Sequence, residues 1–167
     1  MLTEPEVLDM ATLGMMSKDP DCHVRQSVAT SPKIGRKTRL RLAEDSEDCV
    51  RLLIAKREDN TAKDLQRMAM REENIWVLKA IARNRKTDGK TLDELVQKSP
   101  DVWEAVARNP NTLESTLDVL ATSQSFDVLL GVLDNKNTGK NALLSLKKHK
   151  NCFIRERVYY RLFHWGG

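Results

Sequence analysis

Five stretches of this 167-residue chain align with one another without a gap. They occupy residues 28–43, 54–69, 81–96, 106–121 and 132–147. The first reads VATSPKIGRKTRLRLA and the fourth VARNPNTLESTLDVLA. An aliphatic stands four residues ahead of each copy, at Val24, Val50, Val77, Val102 and Val128, and a sixth start follows at Ile154 with Val158. The steps between starts are 26, 27, 25, 26 and 26 residues. A period held this long makes the repeat the folding unit. Each unit buries its apolar face only by stacking on its neighbours, so the pattern predicts a solenoid.

Spacing within a copy sets the local structure. Val50, Leu53 and Ile54 fall at i, i+3 and i+4, as do Val77, Ala80 and Ile81, and Val102, Ala105 and Val106. That is one apolar helical stripe. The same spacing returns later in the copy, at Leu65, Met68 and Ala69 and at Leu92, Leu95 and Val96. Each repeat therefore holds two short helices, too short to be stable alone in water. The link between them is rich in Asn, Pro, Thr and Gly, residues expected to break one helix and cap the next. Small residues beside the aliphatics, such as Ala80, Ala105, Ala107 and Gly131, predict close approach of neighbouring helices.

The ends depart from the repeat. Thr3 and Glu6 have capping-box spacing ahead of Val7, Met10, Leu13 and Met16. The expected division is a half-repeat cap over 1–23, five repeats over 24–153 and an aromatic cap over 154–167. Phe153, Tyr159, Tyr160, Phe163 and Trp165 crowd the tail of the chain, and Arg157 replaces a small or apolar residue.

The motif Val102-(x)3-Val106-Ala107-Arg108-Asn109-Pro110-(x)6-Leu117-(x)2-Leu120-Ala121 resembles the leucine-rich repeat variant over residues 24 to 153. The resemblance implies an all-α, right-handed superhelix of alternating α and 3₁₀ or short α segments, akin to HEAT and armadillo arrays. Some members of that family carry a cysteine-rich iron–sulfur module ahead of the repeats. The three cysteines here, Cys22, Cys49 and Cys152, form no CxxC pair, so no cofactor is expected. They read as reduced packing residues between turns.

Chemistry-bearing motifs are sparse. His23, His149 and His164 have no His, Asp or Glu at metal-ligand spacing. The carboxylate pairs Glu44-Asp45, Glu47-Asp48 and Glu72-Glu73 fall in turns between repeats, where solvated charge is the expectation rather than acid–base catalysis. No phosphate loop, nucleophile elbow or HExxH is present. The acidic N-terminus does not read as a secretory signal, and the apolar runs are too short to span a bilayer, so the expected compartment is the cytoplasm.

Charge carries the functional reading. The net +4 divides into −3 over residues 1–32, +6 over 33–90, −6 over 91–134 and +7 over 135–167. A nucleic-acid binder of uniformly basic surface lacks such an acidic block, and alternating sign suits a protein partner. Lys37, Lys63 and Lys90 occupy one repeat position, and Lys56, Arg83 and Arg108 another. In a solenoid equivalent positions line up, which predicts two cation ladders on repeats one to four. Solvation is the competing reading of such charges. The expected function is non-enzymatic: a protein-interaction scaffold or small regulatory, inhibitory binding protein. Nucleic-acid binding along the ladders is the alternative. A DNA-repair enzyme built on HEAT-like repeats would rest on fold analogy alone.

Overall fold

The computed structural model describes residues 9–164. The expected Thr3–Glu6 capping box, Val7 and Trp165 lie outside them. Among the described residues the chain is all helical: twelve α-helices, one 3₁₀ turn and no strand. The opening helix is α1 (Met10–Met16). The first helices of the five repeats are α2 (Cys22–Thr30), α4 (Asp48–Ala55), α6 (Ile75–Arg83), α8 (Trp103–Ala107) and α10 (Phe126–Asp134). The second helices are α3 (Arg36–Leu42), α5 (Ala62–Arg71), α7 (Gly89–Lys98), α9 (Glu114–Leu120) and α11 (Lys140–Leu146). The chain closes on α12 (Cys152–Phe163), in the first-helix position of a sixth unit. The one 3₁₀ turn, Pro100–Val102, leads into α8. The second segments are therefore short α-helices rather than 3₁₀.

Two layers result. First helices stack on first helices, from α2 through α4, α6, α8 and α10 to α12, and each second helix packs against the first helix of the following unit. The predicted aliphatic stripes form the seam between layers. Val50, Ile54, Val77, Ile81, Val102, Val106, Val128, Val132, Ile154 and Val158 are buried, and so are Leu65, Leu92, Leu95, Leu117, Leu120 and Leu143 from the facing layer. Full burial of one such side chain contributes about 1.5–3 kcal/mol. First helices approach closely: a Cβ placed on Gly131 in α10 would lie 2.8 Å from the Ala107 Cβ in α8. A valine at 131 would overpack that contact.

The linker asparagines do something other than cap. Asn109 Nδ2 donates to Ala82 O (2.6 Å) and Asn84 O (3.0 Å), at the end of the preceding first helix. Asn135 repeats the pattern on Ala107 O and Asn109 O, and Asn84 on Ala55 O and Arg57 O. Arginine extends the ladder at both ends. Arg57 donates to Ala29 O and Ser31 O, and Arg161 to Leu133 O and Asn135 O. Each rung satisfies helix-terminal carbonyls that would otherwise be orphaned. Within a repeat, Thr87 and Thr112 hydroxyls donate to Ile81 O and Val106 O, and the Thr138 hydroxyl to Val132 O. The expectation of capping holds for Thr61, which forms a capping box with Asp64.

Candidate functional site

Each of the six predicted cations is exposed. Lys37, Lys63 and Lys90 are the second residues of α3, α5 and α7. Their row continues as Ser115 and Asn141, so the charge stops after three rungs. Lys56 and Arg108 are the C-terminal caps of α4 and α8, and Arg83 is the last residue of α6. That row begins at Thr30 and ends at Asp134. The topology brings the two rows to one edge. Each short linker runs from the end of a first helix to the start of a second, so Lys56 and Lys63 bracket one linker and Arg83 and Lys90 the next. Arg108 pairs with Glu104 at 3.2 Å. The other five have no carboxylate partner among the described residues.

The first-helix layer also carries an exposed aromatic. Trp76, at the N-terminal end of α6, is 64% exposed. The Lys79 ammonium lies 5.2 Å from its ring centroid, a cation–π distance. Trp76 borders an open groove of about 260 Å³ between α4 and α6, lined by Leu52, Lys56, Ala80, Arg83 and Asn84. Trp103, three residues before Val106 rather than five, turns inward and its indole N–H donates to Val96 O at 3.0 Å.

A second cleft of about 340 Å³ lies among α3, α5 and the turns that follow them. Two of its carboxylates correct the expectation of solvated turn charge. Glu72, with 4% of its side chain exposed, takes a two-pronged contact from Arg51 (2.8 and 3.0 Å). Asp45 takes the same contact from Arg25 (2.8 Å each). Burial pushes both carboxyls up. Hydrogen bonds from the arginine and from following backbone N–H groups outweigh it, with the guanidinium charges, and hold both below the usual carboxylate range. At the mouth, Glu44 is shared by Arg67 (2.7 Å) and Arg71 (3.0 Å). The three arginines that line this cleft, Arg51, Arg67 and Arg71, are thus each paired with a carboxylate of the same cleft.

His23 also departs from expectation. Its Nδ1 lies 3.0 Å from Asp21 Oδ1 and 3.7 Å from Cys22 Sγ, so three potential metal-ligand atoms cluster at the start of α2. The Asp21 carboxylate caps α2 there, accepting from His23 N–H at 2.8 Å. That bond and the side-chain hydrogen bond with His23 hold the Asp21 carboxyl below the usual carboxylate range. Cys22 and Cys49 are half-buried, whereas Cys152 is exposed at the start of α12. The tail aromatics Phe153, Tyr159, Tyr160 and Phe163 are exposed as well, and Arg157 pairs with Asp134.

No helix among the described residues is long and apolar enough to cross a membrane. No known family's sequence profile matches the chain, and no curated protein matches it. Among solved structures it is similar to one described as a leucine-rich repeat variant with a novel repetitive structural motif. The match has 21% sequence identity and a TM-score of 0.57, and covers 92% of this chain and 72% of that one. With its two-layer stack of helix pairs, the chain has the fold of the leucine-rich repeat variant.

Proposed function

We propose that this protein is a non-enzymatic interaction scaffold that holds a protein partner along the linker edge of its first four repeats. The observation that carries this reading is the alignment of Lys37, Lys63 and Lys90 with Lys56, Arg83 and Arg108 on one edge, five of the six without a carboxylate partner among the described residues. Unpaired, aligned charge on a rigid stack supplies electrostatic complementarity and steers encounter with an acidic surface. The lysine row gives way to Ser115 and Asn141 and the other row ends at Asp134, which limits how far a polyanion can track the stack. The buried linker groups support a non-catalytic role, because the Asn109 and Asn135 amides and the Thr87, Thr112 and Thr138 hydroxyls donate to backbone carbonyls.

Nucleic-acid binding is the second reading, favoured by three successive lysine rungs at one repeat position. A phosphate backbone would respond to salt steeply, losing affinity with each counterion released. Electrophoretic mobility shift with single- and double-stranded oligonucleotides at two salt concentrations separates the readings. The scaffold reading expects no shift at physiological salt. It also expects quantitative capture of a defined protein from the native host by wild type, lost with K37E/K63E/K90E. A salt-steep shift abolished by the same variant overturns it.

A further inference from the structure

We infer that the groove between α4 and α6 is a docking site for a short acidic peptide segment with one bulky apolar side chain. This rests on the scaffold reading and names the partner's chemistry. Three observations converge. Trp76 exposes most of its ring on a helix whose other apolar residues are largely buried, and Leu52 and Ala80 continue its apolar surface into the groove. A large exposed aromatic beside a concave patch is the usual anchor of a protein contact. Lys56 and Arg83 rim the groove without carboxylate partners among the described residues, and Lys79 stands over the tryptophan. An occupant must therefore bring negative charge on both sides of an apolar centre.

Size selects a segment over a small ligand. About 260 Å³ is below the usual range for small-molecule sites, roughly 300–1,000 Å³. It suits one or two side chains of a longer chain that continues past the groove. Charge selects peptide over nucleic acid. A single strand needs a continuous basic track and successive stacking platforms. On this layer Trp76 stands as the one exposed aromatic among repeats one to three of the described residues. The 3₁₀ turn and α8 that follow bring Asp101 and Glu104, and α10 brings Asp127 and Asp134. One anchor flanked by three cations matches a few peptide residues.

Fluorescence polarisation with three labelled probes tests this on the full chain. They are an acidic octapeptide with a central phenylalanine, its alanine twin, and an eight-nucleotide thymidine oligomer. The expected result is that wild type binds the phenylalanine peptide about tenfold more tightly than the twin, an anchor-sized difference. W76A is expected to erase that preference, and K56E/R83E to abolish binding of both peptides. All three altered residues are exposed, and thermal melts matching wild type confirm that the variants are folded. Equal affinity for the two peptides, an unchanged preference in W76A, or no peptide binding at millimolar concentration overturns the assignment. Tighter binding of the oligomer, dependent on Trp76, overturns it in favour of nucleic acid and takes the scaffold reading with it. Peptide binding lost in K37E/K63E/K90E but indifferent to W76A overturns the groove alone and leaves the scaffold standing.

Discussion

Three residues before the central aliphatic of each copy, the chain places Arg25 and Arg51 in repeats one and two but Leu78, Trp103 and Leu129 in repeats three to five. The backbone unit is the same in both halves, and the means of closing it differs. In the first half each arginine spans its repeat. Arg51 donates to Asp45 O and Ser46 O in the turn before α4 and holds Glu72 in the turn after α5. In the second half the position is apolar, and Trp103 keeps only the backward bond, to Val96 O. Buried ion pairs gain little net stability over apolar packing but are costly to break from one side. One fold thus tolerates two closures with different vulnerabilities.

Breaking one partner of the first-half closure has the largest expected effect. R51A leaves Glu72 buried without its guanidinium and is expected to cost about 3 kcal/mol in chemical denaturation. The double variant R51L/E72L copies the apolar closure of Leu78 and is expected to recover most of the loss. A double variant as unstable as R51A would show that the halves are not interchangeable.

The asparagine ladder belongs chiefly to the second half and comes next in size. N109A orphans the carbonyls of Ala82 and Asn84, for an expected cost of about 2 kcal/mol. Asn84 does the same work from a half-buried position, so N84A is expected to cost less. Equal melts for N109A and wild type would remove the ladder from the account of what joins the repeats.

The period, the two-helix unit and the cation rows were legible in the sequence because each depends on spacing within one repeat. The aliphatic seam follows from i, i+3, i+4 placement alone. What escaped depends on partners in a neighbouring turn. Asp45 and Glu72 lie 20 and 21 residues from Arg25 and Arg51, and their burial is set by that contact. Asn84, Asn109 and Asn135 recur three residues after the central aliphatic, a signal that was present. Linker asparagine ordinarily caps the next helix, and only the stacked geometry shows these reaching back. The two tryptophans fall on opposite flanks of the stripe, Trp103 about 60° beyond Val106 and Trp76 about 40° beyond Ala80 at 3.6 residues per turn, so the angle alone did not tell the inward ring from the exposed one.

Acid sharpens the contrast between halves. The Asp45 and Glu72 carboxyls are held below their ordinary values of 3.8 and 4.5. A depressed native pKa means that the unfolded chain binds protons first as pH falls. The stability these groups supply is complete above about pH 4.5 and is lost as pH drops through their native values. The second half has no buried arginine–carboxylate pair among the described residues. Pulsed hydrogen exchange between pH 5 and 3 is therefore expected to show protection failing first across residues 25–72, with 81–147 outlasting it. Simultaneous loss in both halves would mean that the stack opens as one unit.

The smallest stability effect is expected where the functional effect is largest. Lys37, Lys63 and Lys90 are exposed on second helices and make no ion pair among the described residues. Reversal to glutamate therefore breaks no contact. Each lies in the first turn of its helix, where negative charge is favoured by the helix dipole, by a few tenths of a kcal/mol at an exposed site. The triple variant K37E/K63E/K90E is thus expected to melt within about 0.5 kcal/mol of wild type per site, with any shift leaning toward stabilisation. A sequence that keeps lysine at three places where glutamate suits the helix better is retaining charge for something other than the fold. A marked drop in the melt would instead give those lysines a structural role, and the ladder would lose its claim to be a binding edge.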